Sequence, residues 1–247
     1  MFRPAHATLQ PLIWSAAQRL QHWHDHWALH DPLSPPLTVL ADLTTQVIEP
    51  GGAERLLSSA ERQRLQALSR SQDRERFLAR TVVLRTVLGL ILKREPAAIE
   101  LCAGSHGKPE LSGGQGVHFN LSHSGDWLLM GFHPSQAVGV DVQRIDTTRD
   151  WRPIAERCFA SPVIDHILEG PTGEQHQHFT QAWCELEALL KCRGQGLSGL
   201  GQPGALDLAQ GERLWTVLAP EGYRAAVAQS ALPLNRQTAT WQAPERA

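Results

Sequence analysis

Three short stretches of this 247-residue chain hold side chains whose types and spacing suit phosphoryl chemistry. In Gly139-Val140-Asp141-Val142-Gln143, valines alternate with Gly139, Asp141 and Gln143, so Asp141 and Gln143 share one face of a strand. An Asp inside a strand runs against propensity. It is either a charge on a solvated face or a ligand for a hard cation such as Mg²⁺, which takes carboxylate oxygens and keeps several waters. In Trp183-Cys184-Glu185-Leu186-Glu187-Ala188-Leu189-Leu190-Lys191, Glu187 and Lys191 stand one helical turn apart. They read as a surface ion pair worth about 0.3–0.5 kcal/mol. Beside the apolar stripe of Trp183, Leu186 and Leu190 they also read as the rim of a cleft. There a carboxylate on a divalent cation and a neighbouring ammonium could hold a pyrophosphate between them.

The third stretch is His118-Phe119-Asn120-Leu121-Ser122-His123-Ser124. A Ser122–His123 dyad is excluded as a nucleophile, because adjacent strand residues face opposite ways and no G-x-S-x-G elbow surrounds Ser122. A hydroxyl, an imidazole and turn amides after a strand suit phosphate binding, or simply a polar hairpin turn. Gly107-Lys108-Pro109 offers a lysine between a permissive and a stiff residue, without the Walker spacing of a P-loop. Arg70, Arg74, Arg76, Arg80 and Arg85 crowd one helical region, with Arg76 and Arg80 on one face.

The elements that must carry these residues follow from periodicity. Leu37–Leu43 reads as a strand, and Ser58–Arg94 as helices whose stripe includes Phe77, Leu78, Val82, Leu84, Leu88 and Ile91. Val117–Leu121, Trp127–Phe132 and Val138–Val142 read as strands, the first two joined through Ser122–Asp126. Asp150–Cys158, Val163–Leu168 and Gln175–Lys191 read as helices, and Trp215–Leu218, Tyr223–Val227 and Thr238–Gln242 as strands. Helices followed by an antiparallel meander, twice over, give an α+β fold of two related halves, 37–134 and 135–247. Residues 1–36 read as a helical extension, with Ile13, Leu20, Trp23 and Trp27 on one face and His22, His26 and His30 on another. That histidine face is a polar helix surface or a metal site.

A net charge of −2 and a pI of about 6.6 argue against a sequence-independent nucleic-acid binder. The four cysteines form no CxxC pair, no signal peptide opens the chain, and no stretch approaches the ~20 apolar residues of a membrane helix. A cytoplasmic monomer with reduced thiols is expected, bound neither to membrane nor to nucleic acid.

In order and spacing, Gly107–Pro109, Phe119–Ser124, Gly139–Gln143 and Trp183–Lys191 resemble the motifs of the surfactin-synthetase-activating (Sfp) type of 4′-phosphopantetheinyl transferase. Asp73–Arg80 is similar to that family's arginine-bearing helix, and the resemblance covers roughly 37–230. It implies a pseudo-twofold α+β fold, each half a small antiparallel sheet packed with helices, with the site between the halves. It implies Mg²⁺-dependent transfer of phosphopantetheine from coenzyme A to a serine of an acyl, peptidyl or polyketide carrier protein, releasing adenosine 3′,5′-bisphosphate. Carried over by position, Asp141 and Glu187 would hold the metal, with Gln143 where the family usually has Glu. Glu187 would deprotonate the carrier serine and Lys191 neutralise the scissile pyrophosphate. Lys108, Pro109, Ser122 and His123 would line the phosphates, and Arg76 would take the 3′-phosphate. Leu186 replaces a family lysine. The alternative is a catalytically silent paralogue that binds coenzyme A or a carrier protein.

Overall fold

Leu37–Asp42 (β3) forms the strand that its apolar run predicts, and both of its faces are buried. The computed structural model describes residues 7–14, 34–45, 52–104, 108–113, 116–202 and 204–230. Within these, Thr8–Leu9 (β1) and Leu12–Trp14 (β2) precede β3, followed by helices Ser59–Ala67 (α1) and Ser71–Leu92 (α2). A small hairpin of Leu101–Ala103 (β4) and Pro109–Leu111 (β5) leads to His118–Ser124 (β6), Trp127–His133 (β7) and Val138–Arg144 (β8). Helices Arg152–Cys158 (α3), Ser161–Glu169 (α4) and Gln175–Arg193 (α5) then lead to Arg213–Val217 (β9) and Tyr223–Gln229 (β10). The fold is mixed α+β with several small sheets, as expected.

Two four-stranded sheets form the frame, in the orders β2-β3-β7-β6 and β1-β9-β10-β8. In each, a strand, a set of helices and a hairpin fold so that the last strand lies between the other two: β3-β7-β6 and β8-β10-β9. The first sheet has two apolar faces. Val39, Ala41, Leu128, Met130 and Phe132 pack with Val83, Val87 and Leu88 of α2, while Leu40 and Leu129 pack with Val138, Val140, Val142 and Val227 of the second sheet. Sheets covered on both sides lose strict alternation, which is why β7 reads as a continuous apolar run.

Local chemistry fixes the helices. Ser58 and Glu61 close a capping box at the start of α1. Arg85, 1% exposed on α2, is satisfied by Glu61 at 2.8 Å and by the carbonyls of Pro96 and Ile99. One buried guanidinium so joins α1, α2 and the chain after them, and losing its partner would strand a charge. In the second half, α5 lies directly on β8 at Gly139. A Cβ there would fall 2.0 Å from the Ala188 carbonyl oxygen and 2.3 Å from the Cys192 nitrogen.

Two expectations change. The hairpin of β6 and β7 pairs through Ser124 and Trp127, so Ser122 and His123 belong to the strand and not to a turn. The tight turn is left to Gly125, at φ +56°, and Asp126. Ile13, placed on a helix by its spacing, stands in β2 and pairs with Leu40, its side chain 52% exposed; main-chain bonding to β3 holds it, not burial. Residues 15–33, with the three histidines, and the strand expected at Thr238–Gln242 lie outside the described residues.

Gly139→Ala forces backbone atoms of α5 and β8 apart. We expect a loss of about 3 kcal/mol in unfolding free energy, read by urea denaturation; an unchanged midpoint would mean that this contact does not set the packing.

Candidate functional site

The two sheets meet at the edges formed by β6 and β8. No ladder joins these strands; side chains of β6 take the place of one. Asn120 Oδ1 accepts from the Val140 amide at 2.9 Å, and Ser124 Oγ from the Arg144 amide at 3.0 Å. Ser122 Oγ donates to Asp141 Oδ1 at 2.6 Å, and Ser124 Oγ to Gln143 Oε1 at 3.5 Å. Period-two alternation puts Asn120, Ser122 and Ser124 on one side of β6. Their spacing thus matches the outward amides of β8, which would otherwise be unsatisfied edge donors.

Asp141 sits at the centre of this seam with no exposed surface. Lys191 Nζ reaches across from α5 to Asp141 Oδ1 at 2.5 Å, Ser122 Oγ at 3.1 Å and Glu187 Oε2 at 3.3 Å. Asp141 Oδ2 is buried and takes no hydrogen bond of ordinary geometry, the nearby Cys184 thiol being turned to the Arg224 carbonyl at 3.2 Å. Burial pulls the Lys191 ammonium down, but the charges and hydrogen bonds of Asp141 and Glu187 outweigh it and hold the group above its ordinary value. Glu187 moves up: burial and the Asp141 charge dominate, against Lys191 and a hydrogen bond from Trp183. The arrangement is a carboxylate–ammonium–carboxylate array, half enclosed, with one oxygen unspoken for.

Of the residues singled out by sequence, Asp141, Glu187, Lys191 and Ser122 come together here. Gln143 lies further along β8 on the same face, turned to Ser124. His123 is exposed on the opposite face of β6, where its Nε2 lies 2.6 Å from Arg80 Nη1. The guanidinium can only donate, so Nε2 accepts and the imidazole is neutral. Although the residue keeps exposed surface, partial desolvation of its ring, then the charges of Arg80, Lys191 and Arg76, push His123 below its ordinary pKa. Arg76 pairs with Asp126 in the hairpin turn at 2.9 Å. Lys108 and Pro109 do not join either group. Pro109 opens β5, and Lys108 Nζ donates to the Val138 carbonyl at 3.3 Å, near Cys192 and Glu110. Gly107 lies outside the described residues.

Sequence reasoning passed over Asn120 and Ser124, whose roles appear only once the two sheet edges meet. It noted Arg80 as a helix-face partner of Arg76 without linking it to His123, 43 residues away. Glu185 was treated as part of the motif; it is 2% exposed, bonded to Gln181, and burial pushes its carboxyl up to about 7. It faces away from the array, toward Thr216 through Gln181. A cavity of about 510 Å³ opens elsewhere, between α3, α4 and residues 201–207, and none of the array's residues lines it. Among the described residues no three His, Cys, Asp or Glu side chains converge on one metal position. No helix among them is long and apolar enough to cross a membrane.

Comparison with known proteins agrees with the motif order. Residues 137–228, which carry β8, α5, β9 and most of β10, match the 4′-phosphopantetheinyl transferase superfamily. The chain is 36% identical over 151 residues to a putative 4′-phosphopantetheinyl transferase of Synechocystis, covering 60% of this chain and 61% of that protein. It is 30% identical over 172 residues to the 4′-phosphopantetheinyl transferase HetI of Nostoc, covering 68% of each. It is 29% identical over 142 residues to the 4′-phosphopantetheinyl transferase Sfp of Bacillus subtilis, covering 58% of this chain and 62% of that protein. The chain thus spans about three fifths of the Synechocystis and Bacillus relatives and rather more of the Nostoc one.

Arg80→Met removes the guanidinium nearest His123, so the imidazole pKa moves up toward its usual ~6.5 and its cationic fraction near pH 6 rises. A proton NMR titration checks this; a midpoint equal to that of the unsubstituted protein would discard Arg80 as a cause.

Proposed function

The chain belongs to the 4′-phosphopantetheinyl transferase superfamily, and from that premise we propose that it transfers phosphopantetheine from coenzyme A to a serine of a carrier protein. The observation that carries this reading is the array of Asp141, Lys191 and Glu187 at the seam, with one buried carboxylate oxygen left unpartnered. The serine oxygen attacks the β-phosphorus, the bond from that phosphorus to the bridging oxygen breaks, and adenosine 3′,5′-bisphosphate leaves. Glu187 takes the serine proton, directly or through water. Burial and the Asp141 charge raise its pKa, which makes it a stronger base than an ordinary carboxylate. Lys191 neutralises charge on the pyrophosphate oxygens. Ser122, His123 and Arg76 line the path of the phosphates, with Arg80 holding His123; Lys108 and Pro109, expected beside them, stand apart at the start of β5.

The donor set fits a hard divalent cation: Asp141 Oδ2 is free of partners and Glu187 lies on the same ammonium. When bound, Mg²⁺ would offset the charge that develops on the bridging oxygen. Gln143 supplies a neutral oxygen where a third carboxylate would add charge, so weaker metal binding or an intervening water is expected. The same residue favours the second reading, a silent paralogue that binds without transfer.

The proposal also takes 37–134 and 135–247 as halves related by a pseudo-twofold axis, supported by the shared order of β3-β7-β6 and β8-β10-β9, to which residues 8–14 add one short strand each. The carrier partner is an acyl, peptidyl or polyketide carrier protein, met by a cytoplasmic monomer that needs no membrane or nucleic acid.

Mass spectrometry of an apo carrier protein incubated with coenzyme A and Mg²⁺ should register one phosphopantetheine added. Coenzyme A binding by calorimetry with no such gain across several carriers would favour the paralogue. Glu187→Gln should cut transfer by about a hundredfold or more while circular dichroism and melting stay near those of the unsubstituted protein; full activity would remove Glu187 from both roles. Gln143→Glu should lower the Mg²⁺ concentration for half-maximal rate, and an unchanged dependence would show that residue 143 does not reach the metal.

A further inference from the structure

An ammonium group carries three N–H donors and no acceptor. Lys191 gives two of them to Asp141 Oδ1 at 2.5 Å and Ser122 Oγ at 3.1 Å, and its charge is also paired with Glu187 Oε2 at 3.3 Å. A lysine so placed has its charge already taken up by two carboxylates. It also already does what a cation between these carboxylates would do, since Asp141 has no exposed surface and Glu187 is mostly buried. Two cations on one pair of carboxylates repel: at about 4 Å and an effective dielectric near 20, a unit charge against a divalent one is strongly opposed.

We propose that Lys191 is the resident counter-cation of the Asp141–Glu187 pair, and that an entering divalent cation displaces it from Asp141. This rests on the reading of those carboxylates as metal ligands. The array then works as an exchange. Without metal, the lysine keeps two buried carboxylates compensated and the seam closed. With metal, the same lysine is freed, on a flexible four-carbon stem, to meet the substrate's phosphates. Ser122 becomes a positioning residue: its hydroxyl accepts from Lys191 and donates to Asp141 Oδ1, so it holds the oxygen pair in register while the ammonium leaves. Metal and the phosphate-binding lysine are thereby coupled, and neither is fully available before the other moves.

Calorimetric titration of the full chain with MgCl₂, without coenzyme A, tests this directly. Lys191→Met, which keeps the stem and removes the charge, should bind Mg²⁺ at least ~10-fold more tightly. Equal or weaker binding by the variant overturns the exchange, while leaving the carboxylates as ligands. Absence of Mg²⁺ binding in both proteins overturns the exchange and the metal reading together. A measurement on the unsubstituted protein covers the case where the variant does not fold: lysine acetylation read by mass spectrometry. Lys191 should react severalfold faster with saturating Mg²⁺ than without it, and an unchanged or slower rate overturns the proposal.

Discussion

The structure is organised around the burial of one carboxylate. An ionised Asp with no access to water is costly unless charge and hydrogen bonds replace its hydration. Asp141 gets that replacement from both sides of the seam: a hydroxyl from β6 of the first sheet and an ammonium from α5, which packs on the second. Each donor therefore depends on the other half being in place. Gly139, two residues earlier on the same face of β8, is what lets α5 come close enough for Lys191 to reach. A longer side chain there would lift the helix and break the charge pair before it touched any reacting group.

The seam explains why a short polar run follows an apolar residue in β6. Strand edges carry unpaired amides and invite association. Here Asn120 and Ser124 cap the outward amides of Val140 and Arg144, and the residue between them binds Asp141. Structure and chemistry thus use alternate positions of one strand face. The other face is given to His123 and the arginines of α2.

How far the sequence spoke for this arrangement depended on range. Glu187 and Lys191 were legible because one helical turn joins them, and Asp141 because valine alternation marks a strand. The apolar stripe of α2 was legible for the same local reason. The end of β6 was not. Beyond Leu121 the residues turn polar, and a polar run reads as a turn unless a partner strand is known to lie beside it. The contact of Arg80 with His123 spans 43 positions and depends on how α2 crosses the first sheet. The strands β1 and β2 are two and three residues long, too short for any periodicity to register.

Those two short strands have an effect beyond their size. Written across the seam, the strand order runs β2-β3-β7-β6, then β8-β10-β9-β1. The outermost members, β1 and β2, are separated in the chain only by Gln10 and Pro11. A link that short spans about 10 Å at most, so the two far ends of the array must lie side by side. The eight strands accordingly close into a ring with two joints, one of side chains at β6 and β8 and one of continuous backbone at residues 9–12. A hinge between two separate lobes opens by bending one joint. A ring cannot, and motion at the seam has to be taken up by shear within the sheets or by release of the N-terminal strands.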